Sequence, residues 1–227
     1  MERASSQQVA IAVAAAVGAA SALFLWLRSR RIAEARHELL ALAETPTKTA
    51  PDSSDTPTKE PPSDVHILHS GGFASEVASM LSSSISDRSS SCACHIHSME
   101  KFKKWQADLA LTDRSTPLFV VFIVSTIENE QPPEEAQPCV LWLKRRGHPP
   151  DLLRGKCRYA VLGLGDSNLL LDRQTTTAKD CNQVATRLDS RLAALGAERC
   201  YTVGQVDDRT GNQELVPWLD AFVASLF

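Results

Sequence analysis

Two apolar runs constrain this chain more than any other feature. Residues 117–124 read PLFVVFIV and residues 158–165 read RYAVLGLG. Neither alternates polar with apolar residues over its length. A strand made from either is therefore covered on both faces, the condition of a central strand in a parallel sheet. Three shorter runs fit the same sheet: VHIL at 65–68, CACHIH at 92–97 and CYTVG at 200–204. Helical stretches separate them. One runs from the Ser70-Gly71-Gly72 turn to about Ser84, one covers 134–146, and one covers 178–195 with Gly196 as its C-cap. A fourth, amphipathic, closes the chain over 212–226. Strands that alternate with helices need crossover connections, which predicts an α/β domain over residues 64–227 with a five-stranded parallel sheet covered on both faces. In such sheets ligands bind beyond the carboxyl ends of the strands. The loops leaving those ends are 69–74, 125–130 and 163–169.

Residues 9–27, VAIAVAAAVGAASALFLWL, carry no charge. As a helix at about 1.5 Å per residue they span roughly 28 Å, close to the ~30 Å hydrocarbon core of a bilayer. Arg28, Arg30 and Arg31 follow directly, whereas Glu2 and Arg3 cancel in front. The positive-inside rule then places the C-terminal side in the cytoplasm. A cleaved signal peptide would have a shorter apolar core and its basic flank on the other side. The expectation is a single-pass anchor over 1–31, then a short helix at 32–44 and a polar, Pro- and Ser/Thr-rich linker to residue 63.

The formal net charge of −3 gives no electrostatic case for nucleic acid. Six cysteines, Cys92, Cys94, Cys139, Cys157, Cys181 and Cys200, are spread over a chain too long and too Cys-poor for a disulfide scaffold. Reduced thiols and a cytosolic compartment are expected. Cys92, Cys94, His95 and His97 resemble a metal cluster, but strand alternation puts the cysteines on one face and the histidines on the other, so no metal is expected. No catalytic nucleophile arrangement stands at the strand ends.

Four stretches carry a resemblance. YAVLGLGDSN (159–168) is similar to the third flavin loop of flavodoxin-like domains. RLAALGAERCYTVGQVDD (191–208) and the following GNQELVPWLDAFVASL resemble the segment after it. STIENEQPPEEA (125–136) resembles the second loop, usually Ser-Thr-Tyr-Gly-Glu-Gly, an acidic residue, then Pro-Pro. The chain resembles the FMN domain of diflavin reductases over roughly residues 64–227. The resemblance implies a flavodoxin-like, doubly wound sheet in the order 2-1-3-4-5, FMN as cofactor, and one- or two-electron transfer. No FAD- or NADPH-binding domain is expected in the chain, so a separate FAD/NADPH reductase is the expected electron donor. The expected acceptor is a haem protein or another redox partner. An N-terminal anchor ahead of such a domain is the layout of the microsomal members, which favours the endoplasmic reticulum. An outer mitochondrial membrane anchor would look similar.

The resemblance assigns FMN-binding positions loop by loop. His69, Ser70, Gly71, Gly72, Phe73 and Ala74 stand where the family usually has Ser, Gln, Thr, Gly, Thr and Ala around the phosphate. There a nest of backbone N–H groups and a helix N-terminus hold the dianion. Two threonine hydroxyls are replaced, by Gly71 and Phe73. At roughly 1.5–3 kcal/mol per hydrogen bond to a charged group, their loss costs on the order of 3–6 kcal/mol of binding. In the second loop Ser125 and Thr126 keep their places, while Ile127 replaces the stacking tyrosine and Glu128 the glycine after it. In the third, Leu164, Gly165, Asp166, Ser167 and Asn168 match and Leu169 replaces the second aromatic. Asp208 falls at an acidic position near the flavin. Stacking contributes roughly 0.5–1.5 kcal/mol per ring beyond area, although aliphatic side chains can still hold a ring by dispersion. Glu128, Glu130, Glu134 and Glu135 resemble the acidic surface with which such domains dock redox partners. Two readings follow: a membrane-anchored FMN electron carrier, or a flavin-free flavodoxin fold serving as an adaptor.

Overall fold

A computed structural model describes residues 61–104, 116–127, 130–169 and 181–227. All of them belong to one compact unit, Thr58–Phe227. The apolar run 9–27, the stretch 32–44 and the linker up to residue 60 lie outside the described residues. Among the described residues no helix is long and apolar enough to cross a membrane.

The elements in chain order are β1 (Asp64–His69), α1 (Phe73–Arg88), β2 (Ala93–Ser98), β3 (Leu118–Ser125), α2 (Gln137–Leu143), β4 (Cys157–Gly165), α3 (Gln183–Ala194), β5 (Glu198–Arg199), β6 (Gly204–Asp207) and α4 (Leu215–Leu226). Short 3-10 turns join several of them. The strands run parallel in the order β2-β1-β3-β4-β5, and β6 pairs with β4 beyond β5.

The absence of alternation in β3 has the expected meaning, since all its residues from Leu118 to Val124 are buried. Leu118, Val120, Phe122 and Val124 face one core with Cys139, Val140 and Leu143 of α2 and Val184, Leu188 and Leu192 of α3. Phe119, Val121 and Ile123 face the other, with Val77, Leu81 and Ile85 of α1 and Leu219, Phe222 and Val223 of α4.

Three elements differ from the sequence expectation. The helix over 134–146 is a 3-10 turn at Glu134–Ala136 followed by a short α2. Pro133 caps the turn, Pro138 opens the helix, and the Gly147–Pro150 segment prevents its extension. The closing helix begins at Leu215 because Gly211 and Asn212 take the left-handed conformation, at φ 72° and 60°. The fifth strand expected at 200–204 is replaced by two segments, β5 ahead of it and β6 beginning at its last residue, Gly204. Tyr201 leaves the ladder to meet Trp218 and Phe222 edge-on at 5.6 and 5.4 Å. Trp218 Nε1 donates to the Thr202 carbonyl at 3.1 Å. The predicted 178–195 helix is described from Gln183 as α3; residues 178–180 lie outside the described residues.

Cys92 and Cys94 face the core side of β2 while His95 and His97 lie on its other face. There His66 of β1 stacks on both, with ring centroids 4.9 and 5.4 Å apart. Among the described residues no group of three or more His, Cys, Asp or Glu side chains is arranged to hold a metal. All six cysteines are free thiols. Burial pushes the Cys92 thiol up to about 11.

Candidate functional site

The parallel register brings the carboxyl ends of β1, β3 and β4 to one edge of the sheet, and hydrogen bonds tie their loops together there. Ser70 is buried. Its Oγ accepts from the Ser125 N–H at 3.0 Å and donates to Ser125 Oγ at 3.4 Å. The Thr126 N–H donates to the Leu164 carbonyl at 3.0 Å, joining the second loop to the third.

The first loop turns through Gly71 and Gly72 at φ 84° and 52°, a region that L side chains avoid. Gly72 stands at the N-cap of α1 with no side-chain cap, and Phe73 and Ala74 form the first turn. The Ser70 N–H donates to Ile123 O at 3.1 Å, and the Ala74 and Ser75 N–H groups return to Gly71 O and Gly72 O. The Gly71 N–H donates to His69 Nδ1 at 3.2 Å. Burial lowers the His69 pKa below its ordinary value, which favours the neutral ring that this acceptor role needs.

In the second loop Thr126 is buried, and its Oγ1 accepts from the Val184 N–H at 3.2 Å, capping α3. Ile127 is 46% exposed at the rim and pairs with Gln131 as an isolated bridge. Glu128 lies outside the described residues. Glu130 sits at φ 58°, where the loop pattern usually has its second glycine. Its carboxylate pairs with the Arg187 guanidinium, and its carbonyl accepts from Arg187 at 3.3 Å. Glu134 and Glu135 are exposed. The Glu135 side chain lies against Gly71, with Cδ 3.3 Å and Oε1 3.5 Å from where a Cβ on that glycine would stand.

In the third loop the missing side chain of Gly165 is demanded by packing. A Cβ there would stand 2.4 Å from Cys181 O. Gly163 meets Asn182 and Ala185 in the same way, at 2.5 and 2.7 Å. Leu164 is buried. Asp166 Oδ1 accepts from the Asn168 N–H at 2.8 Å. The Ser167 N–H donates to Asp207 Oδ1 at 2.9 Å. The backbone of Leu169 ends a 3-10 turn, Ser167–Leu169, at the mouth of the site. Asp208 is exposed and accepts from Asn212 Nδ2 at 2.9 Å.

Asp207 is the residue that sequence reasoning missed in favour of its neighbour. It is 1% exposed and also accepts from the Arg209 N–H at 3.1 Å. Burial works to raise its pKa, but the donors from Ser167 and Arg209 and the Arg209 charge outweigh it, and the net direction is down. The available signal was its place as the cap of an Asp-x-x-Thr turn, since Thr210 Oγ1 returns to the Asp207 carbonyl at 2.8 Å. Arg187 gave no sequence signal at all.

The ring and phosphate ends of this site differ in their fit to a flavin mononucleotide. Where the resemblance puts the ring, hydrogen bonds join the described parts of the three loops and Ile127 is exposed. At the phosphate end the N–H groups of Ser70, Gly71, Ala74 and Ser75 already have partners within the chain.

The flavodoxin family profile matches residues 71–218. Methionine synthase reductase from Bos taurus is 38% identical over 117 residues, 51% of this chain and 15% of that protein. NADPH–cytochrome P450 reductase from Dictyostelium discoideum is 33% identical over 96 residues, 42% of this chain and 13% of that protein. The chain thus matches only a small part of the length of these relatives. Among solved structures, a cysteine-to-serine mutant of flavodoxin from Pseudomonas aeruginosa superposes with a TM-score of 0.51 at 19% identity, covering 72% of this chain and 98% of the flavodoxin. That likeness speaks for the fold. The strand order, the three tied loops and the family match agree: the chain belongs to the flavodoxin family.

Proposed function

We propose that this protein is a membrane-anchored FMN electron carrier that exchanges electrons with a separate redox partner. Family membership and the diflavin reductase relatives indicate FMN. The observation that carries the electron-transfer reading is the convergence of the β1, β3 and β4 loops, held together by Ser70–Ser125 and Thr126–Leu164 hydrogen bonds. Bound FMN supplies one- or two-electron transfer. His69 to Ala74 would face its phosphate, and Ile127 and the third loop, Asp166 to Leu169, its ring. Exposed Glu134 and Glu135 at the same edge favour a partner with a basic face. Residues 9–27 serve as the anchor, with the domain on the cytoplasmic side of the endoplasmic reticulum.

The test is a titration of the purified full chain with FMN, read by quenching of flavin fluorescence. Saturable quenching is expected, and the variant Phe73→Thr/Ile127→Tyr/Leu169→Tyr is expected to bind more tightly. Absence of binding at high micromolar FMN by both proteins would favour the second reading, a flavin-free adaptor. The replacement of the usual stacking tyrosine by Ile127 is what keeps that reading open.

A further inference from the structure

Four backbone N–H groups of the first loop, those of Ser70, Gly71, Ala74 and Ser75, already have partners within the chain. The Gly71 N–H, which an anion nest would aim at phosphate, is held by His69 Nδ1 at 3.2 Å. The Ser70 hydroxyl is turned to Ser125 and its N–H to Ile123 O. The Ala74 and Ser75 N–H groups close on Gly71 O and Gly72 O at 3.1 and 3.0 Å. Against this loop stands a carboxylate. Glu135 Oε1 is 3.5 Å from the position of a Gly71 Cβ, and Glu76 adds a second acid in the first turn of α1. Glu135 is exposed between two buried residues, Pro132 before it and Ala136 after it.

We propose that Glu135 sets the ligand preference of this site by opposing the phosphate, so that the chain binds FMN and riboflavin with nearly equal affinity. A phosphomonoester carries about −1.5 to −2 charge at neutral pH, and a carboxylate beside it repels it. Riboflavin carries the same ring and ribityl chain without that charge. Binding energy then comes from the ring end, where the three loops meet. This inference rests on the flavin reading above and concerns how the site distinguishes one flavin from another.

The experiment is a fluorescence-quenching titration of the detergent-solubilised full chain with FMN and with riboflavin, in the wild type and in Glu135→Gln. Because Glu135 is exposed, the variant is expected to keep the wild-type circular dichroism spectrum. In the wild type the two dissociation constants are expected within about tenfold of each other. Glu135→Gln is expected to tighten FMN by about tenfold and to leave riboflavin within about twofold. Raising the salt concentration should tighten FMN in the wild type more than in the variant, because it screens the repulsion. A wild-type preference for FMN above about tenfold overturns the proposal, as does a variant in which the ratio of the two constants is unchanged. Quenching by neither flavin in either protein overturns the flavin reading itself, and this inference with it. The ratio and the bare binding therefore separate the two failures.

Discussion

Asp207 gathers two backbone N–H groups, from Ser167 and Arg209, into a place where water does not reach. Removing the carboxylate leaves both donors without a partner, and one such loss costs about 1–3 kcal/mol. Asp207→Ala is therefore expected to lower stability by about 2–4 kcal/mol in urea unfolding, while Asp208→Ala, at an exposed neighbour, changes it by about 0.5 kcal/mol or less. The folded-state pKa of Asp207 lies below the ordinary 3.8. Its contribution is thus fully present above that pH and is lost as the pH falls through the lowered value. Acid unfolding of Asp207→Asn should lack that component. Glu130 presents a different balance at φ 58°. A left-handed non-glycine residue costs about 1–2 kcal/mol, and an exposed ion pair such as Glu130–Arg187 returns about 0–1 kcal/mol. Glu130→Gly is expected to be neutral or stabilising by up to about 1 kcal/mol, and Glu130→Val destabilising by about 2 kcal/mol, both read from the urea midpoint.

At the scale of elements, the glycines of the third loop belong first to the packing of β4 against the segment leading into α3. A methyl group on Gly165 would stand 2.4 Å from a backbone oxygen that cannot swing away, whereas one on Gly147 meets nothing within 4 Å. Gly165→Ala is expected to cost about 3 kcal/mol and Gly147→Ala less than about 0.5 kcal/mol, measured by thermal unfolding. This contrast also shows what a sequence can and cannot tell. The strands that needed only burial, β3 and β4, were legible from their composition, because every residue obeys the same requirement. β5 and β6 were not, because their interruption depends on Tyr201 meeting Trp218 and Phe222 from a distant helix. The described parts of the three loops leave the carboxyl ends of β1, β3 and β4 as the strand pattern implied, since topology alone decides that. The partners within them were not visible: Thr126 capping α3, Ser70 reaching Ser125 and Glu135 lying on Gly71 all join residues remote in sequence.

At the scale of the whole molecule, the parallel sheet gives the domain two unlike ends. The three loops lie at one, and β1 begins at Asp64 at the other, level with Leu118 of β3 by register. The chain enters β1 at that second end through residues 61–63. Deleting residues 1–31 is expected to move the protein from a carbonate-resistant membrane pellet to the supernatant while the domain keeps its fold. A truncated chain that still pellets as an integral protein would remove the anchor from the account. With eight residues in β3 and about 3.3 Å per residue, the two ends are separated by roughly 26 Å. A bulky label attached just ahead of Asp64 would therefore stand about a strand's length from the loops and leave a small molecule's access to them unchanged.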